Sequence, residues 1–376
     1  MRRGFVVESR PMRIVVDAMG GDHAPAAPVE GAVLAARSHG RPIALVGRAP
    51  EIEAALARHD VRGLDIQVVH APDAIAMDEL QPAAAVRARP DNSMSRGMRL
   101  IRAGQAEAFV TMGHTGAALA SAALNLGRIP GVSRAAVATP FPTLSGTCVM
   151  IDIGANTEVK PLFLLHFGIM GAAYAERVLG VSDPRVGLLT IGEERGKGTT
   201  AVQAALPLLD RSGLNFVGNI EGRDVPAGLA DVAVTDGFTG NILVKFAEGV
   251  SFLIQEILRE SAAGHPLSML GAYLMRPAWR AARQRLDYRA YGGAILLGVR
   301  GVVVIGHGRS DGEAVQTAID VAARGVEHGL VDAIAAGVAR TASYAGDDGA
   351  ADGEDGGADA GQPAGATLGV PETASA

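Results

Sequence analysis

The sequence predicts an α/β protein in which a mainly parallel sheet is covered by helices on both faces, as a three-layer α/β/α sandwich. Three observations support this prediction. Short apolar runs rich in β-branched residues recur along the chain, a glycine-containing polar turn follows each run, and an Ala-rich helical stretch follows most turns. Apolar strands that alternate with helices are typical of parallel sheets buried on both sides.

Nine strands are predicted in order, each as an apolar run that ends in a polar turn. They are IVVDAMGG, IALVG, IQVVHA, AFVTMGHTG, CVMIDIGAN, VGLLTIGEE, NFVGNIEG, VAVTDGFTG and VVVIGHG. Prolines mark helix beginnings: Pro25 and Pro28 precede GAVLAARSHG, Pro50 precedes EIEAALARHD, and Pro161 opens a helix that is apolar nearly all round. We expect ligands at the carboxyl ends of the strands.

The chain divides into three regions. Residues 1–11 form a short N-terminal extension, residues 12–342 the α/β domain, and residues 343–376 an Ala/Gly tail that we expect to be disordered, because it is too polar to bury a core. The alternation of strands and helices breaks between residues 251 and 290, where two long helices are predicted as a protruding helical hairpin.

Composition excludes several classes of protein. The tail holds seven acidic residues and no Lys or Arg, so the rest of the chain has 34 basic against 33 acidic residues, and a nucleic-acid binder is not expected. The single cysteine, Cys148, excludes an internal disulfide and a Cys-based zinc site, and favours a cytoplasmic protein. No run reaches the roughly 18 apolar residues of a spanning helix, so a transmembrane protein is not expected.

Two loops near the N-terminal half could bind an anion. In the loop after the first strand, Asp17 is followed by Gly20 and Gly21, which would let backbone N–H groups approach a ligand closely; a tight turn capped by Asp22 is the alternative. The second loop, Thr111 to Gly116, follows the strand predicted at AFVT and adds His114, Thr115 and Gly116. His114 could contact a phosphate or serve only as a helix cap or core residue.

Three further loops carry chemical groups. Asn156 lies in the turn DIGANTE. Lys197, one of only three lysines, lies in GEERGKG, where an ammonium could hold a tetrahedral oxyanion; a solvated surface lysine is the alternative. The spacing differs from a nucleotide-binding GxxxxGK loop by one residue, which disfavours nucleotide hydrolysis.

The last of these loops joins a strand to a helix. It contains Asp236 and Gly237 and ends at Asn241, whose amide could position a ligand beside the helix N-terminus. An Asn or Thr helix cap is the alternative. Nucleophile triads, metal-ligand spacings and cofactor motifs are not found in the sequence, so these residues alone predict an α/β enzyme that handles an anion without covalent catalysis, metal or cofactor.

Five strings, VVDAMGGDHAP, GLLTIGEERGKG, NFVGNIEGRDV, VTDGFTGN and YGGAILLGVRGVVVIGHGRSD, closely resemble the bacterial acyl-ACP:phosphate acyltransferases of phospholipid synthesis, where ACP is acyl carrier protein. The resemblance runs from about Met12 to Ala336. It implies a fold similar to phosphotransacetylases and isocitrate dehydrogenases, a homodimer, and transfer of a fatty acyl group from acyl-ACP to inorganic phosphate. A membrane glycerol-3-phosphate acyltransferase would then use the acyl phosphate.

Carried over by position, the family's reactive residues fall on Lys197 and Asn241, with the Asp17 and Asp236 loops beside them. His114 stands where the family pattern has Asn. We expect phosphate to attack the thioester directly, with Lys197 neutralising it and Asn241 positioning it. The alternative is a phosphotransacetylase-type enzyme that uses acyl-CoA.

The helical hairpin is predicted to contact a membrane or a partner. An apolar segment is followed there by arginines, the pattern of a peripheral membrane helix, and the resemblance implies the same association. The predicted contact residues are Leu267, Leu270, Leu274, Arg276, Arg280 and Arg283. A hairpin that packs in the dimer, or arginines that receive acidic ACP, are the alternatives.

Overall fold

The computed structural model describes residues 12–264, 266–280 and 292–346, and its centre is one mixed sheet. The strands are β1 (Ile14–Asp17), β2 (Ile43–Gly47), β3 (Ile66–His70), β4 (Ala108–Thr111), β5 (Ala136–Pro142), β6 (Thr147–Ile151), β7 (Arg185–Leu189), β8 (Asn215–Ile220), β9 (Val232–Val234), β10 (Ala294–Leu297) and β11 (Val302–Ile305). Their order across the sheet is β3-β2-β1-β4-β11-β10-β5-β6-β9-β7-β8.

Helices cover both faces of the sheet, as predicted. They are α1 (Ala26–His39), α2 (Ala49–Leu56), α3 (Pro82–Ala88), α4 (Ser93–Arg102), α5 (Thr115–Asn125), α6 (Pro161–Arg177), α7 (Thr200–Asp210), α8 (Asp224–Ala227), α9 (Gly237–Ala263), α10 (Pro266–Leu274), α11 (Gly312–Glu327) and α12 (Leu330–Arg340), with a 3-10 turn at Ala342–Gly346. In β1, Ile14 and Val16 lie on the face of the sheet that α1, α6 and α11 cover, whereas Val15 lies on the face that α4 and α5 cover. The three-layer α/β/α sandwich is therefore confirmed.

The two halves of the sheet run in opposite directions. The first half, from β3 to β11, is parallel throughout. β10 is antiparallel to both β11 and β5, and β5 is antiparallel to β6. The second half, formed by β6, β9, β7 and β8, is again parallel within itself. Three reversals in succession place the carboxyl ends of the second half at the edge opposite to those of the first.

All nine predicted strands are present, and the described part of the chain contains two further strands, β5 and β10, that were not predicted. β5 contains Pro140 and Pro142, which cannot donate to a strand ladder and so argue against a strand in the sequence. β10 is only four residues long. These two strands contribute every antiparallel pairing of the sheet.

The helix beginnings predicted at Pro50 and Pro161 agree with the structure, whereas α1 begins at Ala26, directly after Pro25, so that Pro28 lies inside it. Pro50 lies in the first turn of α2, and Pro161 is the first residue of α6. In α6 the residues from Leu164 to Ala175 are all buried, because this helix packs on the sheet while α7 and α12 pack against it. The apolar character of α6 is thus that of a core helix.

The C-terminal boundary of the folded domain needs a small correction. The predicted tail begins at residue 343, but the 3-10 turn extends to Gly346. Within it Tyr344 donates its hydroxyl to the Arg211 carbonyl at 2.6 Å and stacks under that guanidinium at 4.9 Å. Residues 1–11 and 347–376, which hold the predicted extension and most of the tail, lie outside the described residues.

The helical excursion begins earlier than predicted. Its first helix is not confined to residues after Ser251, because α9 is one continuous helix of 27 residues that starts at Gly237. Within the described part of the chain, α9 is the helix whose length and composition would allow it to cross a membrane. Only 11% of its most apolar 18-residue stretch is buried. α10 follows, while residues 281–291 lie outside the described residues.

Candidate active site

The predicted site residues form two groups, one at each edge of the sheet. The first loop group comprises the loops that follow β1, β4 and β11, and the second loop group those that follow β6, β7 and β9. Each group lies at carboxyl ends of parallel strands, as expected. Because the halves of the sheet run in opposite directions, one chain does not bring the Asp17 loop beside Lys197.

Asp17 organises the first loop group from a buried position, with 1% of its surface exposed. Its Oδ2 accepts a hydrogen bond from Thr111 Oγ1 at 2.8 Å, and its Oδ1 accepts one from Met19 N at 3.0 Å. Thr111 Oγ1 in turn accepts a hydrogen bond from Gly113 N at 2.9 Å. Burial raises the pKa of Asp17, against the opposing effect of hydrogen bonds from Ser93 and Thr111. Asp17 thus joins the loops after β1 and β4.

The glycines of the first loop allow this close packing. A Cβ on Gly20 would lie 2.7 Å from both Gly113 N and Thr111 Oγ1, so any side chain there would separate the two loops. Gly21 follows with a φ of +97°, and the next amide, Asp22 N, donates to Gly308 O at 2.8 Å. Asp22 is not a helix cap, because the residue that precedes α1 is Pro25.

His114 is the N-cap of α5, as one of its two predicted roles required. Its Nδ1 accepts a hydrogen bond from Gly116 N at 3.0 Å. Thr115, the first residue of the helix, is exposed, and Gly116 is half-buried against Pro82. The three residues lie together at the edge of the first loop group.

Asp152, which is not among the predicted site residues, organises the second loop group. Its Oδ1 accepts from Val137 N at 2.9 Å, and its Oδ2 accepts from Asn156 N at 2.7 Å and from Asn156 Nδ2 at 2.9 Å. Burial raises the pKa of Asp152, and the same hydrogen bonds oppose that effect. Asn156 Nδ2 also donates to Ala135 O at 2.9 Å. Both hydrogens of this amide are therefore used in bonds within the protein, although Asn156 was predicted to bind the ligand.

The loop after β9 packs directly on this turn. Gly237 N donates to Asn156 O at 2.7 Å. Asp236, the residue before α9, accepts hydrogen bonds from Thr239 N and Thr239 Oγ1, both at 2.8 Å. The cap of α9 is therefore Asp236, and Asn241 is left as a half-buried side chain in the second turn of the helix.

Lys197 lies in a tight turn after β7. Its backbone N–H donates to Glu194 O at 2.9 Å, and its Cγ would lie 3.0 Å from a Cβ placed on Gly192. Two residues earlier, Arg195 forms an ion pair with Asp210 on α7. β7 and β9 are adjacent and parallel, so the turn that holds Lys197 and the beginning of α9 leave the same edge of neighbouring strands.

Sequence reasoning missed three residues that hold the loops in place: Thr111, Asp152 and Asn219, whose Nδ2 donates to Glu194 O at 2.8 Å. Each lies at the end of an apolar strand, where only the fold reveals its partner. Cys148 agrees with its predicted role as a small buried residue in β6, and burial raises the pKa of its thiol to about 12.

The predicted membrane or partner residues of the hairpin are exposed. Leu267, Leu270 and Leu274 on α10 have 76%, 59% and 68% of their surface accessible. Arg276 and Arg280 follow, also exposed, and the Arg276 guanidinium lies 5.6 Å from the centre of the Tyr273 ring. Arg283 lies outside the described residues.

Known proteins resemble this chain over nearly its whole folded length. A family model described as "Fatty acid synthesis protein" matches residues 12–332. A phosphate acyltransferase from Endomicrobium trichonymphae is 44% identical over 88% of this chain and 98% of its own length, and one from Pelotomaculum thermopropionicum is 46% identical over 86% and 94%. The EutD phosphotransacetylase structure from Staphylococcus aureus, 18% identical with a TM-score of 0.55 over 84% of this chain and 94% of that one, shares the fold. This chain therefore belongs to the phosphate acyltransferase family.

Proposed function

We propose that this chain transfers a long-chain fatty acyl group from acyl-ACP to inorganic phosphate, and that the acyl phosphate feeds phospholipid synthesis. Its family makes the chain an acyltransferase of lipid synthesis. The single observation that carries the assignment of the site is the juxtaposition in the second loop group. There the Lys197 turn and the first turns of α9, with Asn241, leave the same edge of adjacent strands.

The proposed reaction needs no enzyme nucleophile. A phosphate oxygen attacks the thioester carbonyl carbon, a tetrahedral oxyanion forms, and the carbon–sulfur bond breaks as the carrier thiolate leaves and takes up a proton from solvent. Lys197 neutralises phosphate as a point charge, Asn241 positions phosphate or the carbonyl, and the N-terminus of α9 adds a favourable dipole. One well-placed donor of this kind contributes about 3–4 kcal/mol to the transition state.

Direct attack can be tested by omitting phosphate. An acyl-enzyme would release one equivalent of carrier thiol in a rapid burst without phosphate, whereas direct attack predicts that no thiol is released until phosphate is added. Cys148 supports direct attack, because burial raises the pKa of its thiol to about 12 and its side chain is fully enclosed. A stoichiometric burst in phosphate-free buffer would contradict the proposed mechanism.

The alternative donor is acyl-CoA, as in the phosphotransacetylases whose fold this chain shares. The two donors differ only in the carrier of the thiol, so the test supplies palmitoyl-ACP and palmitoyl-CoA separately at equal concentration with phosphate. We expect kcat/KM to be higher for palmitoyl-ACP. A higher value for palmitoyl-CoA would favour the phosphotransacetylase-type enzyme.

The proposed functional unit is a homodimer. An apolar stripe on α9, which we call the α9 stripe, repeats at helical spacing and stays exposed in the single chain. It consists of Phe238, Ile242, Phe246, Leu253 and Ile257. A soluble chain rarely leaves a continuous apolar stripe of this length in water, and a second copy presents a matching stripe to cover it.

We also propose a cytoplasmic protein that contacts the membrane surface through α10. Its exposed leucines would enter the interface, and Arg276 and Arg280 would face anionic headgroups. The long acyl chain of the product makes delivery at a bilayer favourable, where a membrane glycerol-3-phosphate acyltransferase would receive it. The same arginines could meet acidic ACP as it arrives.

A further inference from the structure

Asn219 lies beneath the Lys197 turn, at the end of the outermost strand of the second half. It is 9% exposed and pairs in register with Leu188 of β7. Thr190 is two residues beyond Leu188, so its side chain lies on the same face of the sheet. That face carries α7 and is covered at this point by the turn of Lys197.

The Glu194 carbonyl joins Asn219 to Lys197. Asn219 Nδ2 donates to Glu194 O at 2.8 Å, and Lys197 N donates to the same oxygen at 2.9 Å. One acceptor thus closes the turn and fixes it to β8. The far side of the turn is also held, because Gln203 Nε2 donates to Gly196 O at 2.8 Å and to Gly198 O at 3.1 Å.

Two polar atoms beneath this turn are buried without a hydrogen-bond partner. They are Asn219 Oδ1 and Thr190 Oγ1. A Cβ on Gly198 would lie 2.9 Å from Thr190 Oγ1, which shows how closely the turn approaches the hydroxyl. Buried polar side-chain atoms are normally paired, so each of these two atoms beneath the turn can still accept a hydrogen bond from a donor that comes to lie there.

We propose that Asn219 is a positioning residue for Lys197. Its Nδ2 fixes the turn, and its Oδ1 accepts one of the three ammonium hydrogens of Lys197 when phosphate is bound, so that the other two point at phosphate. Thr190 Oγ1 is a second polar atom beneath the same turn. This inference rests on the proposed function, since it assigns Asn219 a role only through the phosphate held by Lys197.

The test compares Asn219→Ala and Asn219→Asp with Asn215→Ala. Aspartate keeps the size of asparagine but cannot donate to Glu194 O. Asn215 is a matched control on the same strand: its Nδ2 also donates to a main-chain carbonyl, Asp183 O at 3.0 Å, but at the exposed opposite end of β8. Thermal melting establishes that each variant is folded.

Two readouts separate positioning from a merely structural role. In protein labelled with ¹³Cε-lysine, the three lysines give three signals, and the Lys197 signal is assigned from Lys197→Ala. We expect inorganic phosphate to shift this signal in the wild type and in Asn215→Ala, and the half-saturating phosphate concentration to rise at least tenfold in both Asn219 variants. The KM for phosphate rises in parallel, and Asn219→Ala adds no further loss to Lys197→Ala.

Wild-type values of the phosphate titration and of the KM in folded Asn219→Ala or Asn219→Asp would overturn the inference. So would a loss that multiplies with that of Lys197→Ala, because Asn219 would then act independently of Lys197. Failure of the proposed function looks different: the wild type itself would form no acyl phosphate, or phosphate would leave its Lys197 signal unmoved.

Discussion

Lys197 and Arg195 are two cations of one loop with different surroundings. Arg195 is held by Asp210 on α7, so its charge is used within the protein. Lys197 is presented by a turn that is fixed from two sides, through Glu194 O and Gln203. An ammonium carried by a turn fixed in this way can act as a point charge for phosphate.

Replacement of Lys197 by Ala should lower kcat/KM about 100- to 1000-fold while the melting temperature stays near that of the wild type, since the side chain supplies charge rather than packing. Steady-state rates with palmitoyl-ACP and phosphate measure the effect. Arg195→Ala is the matched control, because it removes a cation from the same loop but only an exposed ion pair is lost. Equal losses in both variants would contradict the role of Lys197.

His166 gives the stability of the fold a pH dependence. It is buried in α6, its Nδ1 accepts a hydrogen bond from Ser133 N at 3.2 Å, and burial lowers its pKa from 6.5 to about 4. Its lowered pKa makes the folded state bind the proton less readily than the unfolded state. Stability is therefore full above pH 6.5 and is lost as the pH falls from 6.5 to 4, by up to about 3 kcal/mol.

The comparison of wild type with His166→Gln isolates this effect. Urea unfolding at pH 7 and pH 4.5 gives the free energy of unfolding of each protein, and the wild type should lose about 2–3 kcal/mol more than the variant between the two pH values. The buried Asp17 and Asp152, whose pKa values are also raised by burial, are present in both proteins, so any contribution of theirs cancels. An equal loss in both would show that His166 does not titrate as its burial requires.

At the residue scale, the sequence predicts the groups that carry charge but not those that hold them. Lys197 is conspicuous as one of three lysines among glycines, and the loop that leads into the helix carrying Asn241 is visible in VTDGFTGN. Asn219 looks like any strand residue until Glu194, 25 positions away, is found against it. Such partners depend on the tertiary fold and leave no local pattern.

At the element scale, α9 joins the candidate site to the proposed dimer interface. It begins in the second loop group, where a Cβ on Gly240 would lie 2.0 Å from Asp152 O, and then extends away from the core with its apolar stripe exposed. The predicted helical excursion begins at residue 251, but α9 runs through that position without a break, so the predicted boundary falls inside one continuous helix.

The α9 stripe predicts a dimer that charge should break. Phe246→Asp combined with Leu253→Asp should convert a dimer into a monomer, because two carboxylates would be buried in an apolar contact. Light scattering after size-exclusion chromatography measures the mass. Leu80→Asp is the control, since Leu80 is equally apolar and 83% exposed but lies before α3. A wild-type monomer, or an unchanged dimer in the double variant, would remove this interface.

The leucines of α10 predict attachment to anionic vesicles. In flotation with phosphatidylglycerol-containing vesicles, wild type should rise with the lipid, while a Leu267/Leu270/Leu274→Glu variant should stay at the bottom, because three charges oppose insertion and repel the headgroups. Leu80→Asp again serves as the control. Flotation of the triple variant at the wild-type level would contradict membrane contact through this helix.

At the scale of the whole molecule, the sequence predicts the layers but not the direction of each half of the sheet. Apolar strands alternating with helices specify a covered, mainly parallel sheet, and all nine predicted strands are present. The reversal is created by β5 and β10, one interrupted by prolines and the other very short. Without these two strands the predicted site loops would all lie at one edge of the sheet, whereas in the structure they lie at two, with Asp17 and Lys197 at opposite ones.

The most direct measurement is acyl phosphate formation from palmitoyl-ACP and inorganic phosphate, trapped with hydroxylamine as palmitoyl hydroxamate. We expect hydroxamate from the wild type that depends on phosphate, and about 100- to 1000-fold less from Lys197→Ala. Folded wild-type protein that yields no hydroxamate above the phosphate-free control would contradict the transfer of an acyl group from ACP to phosphate.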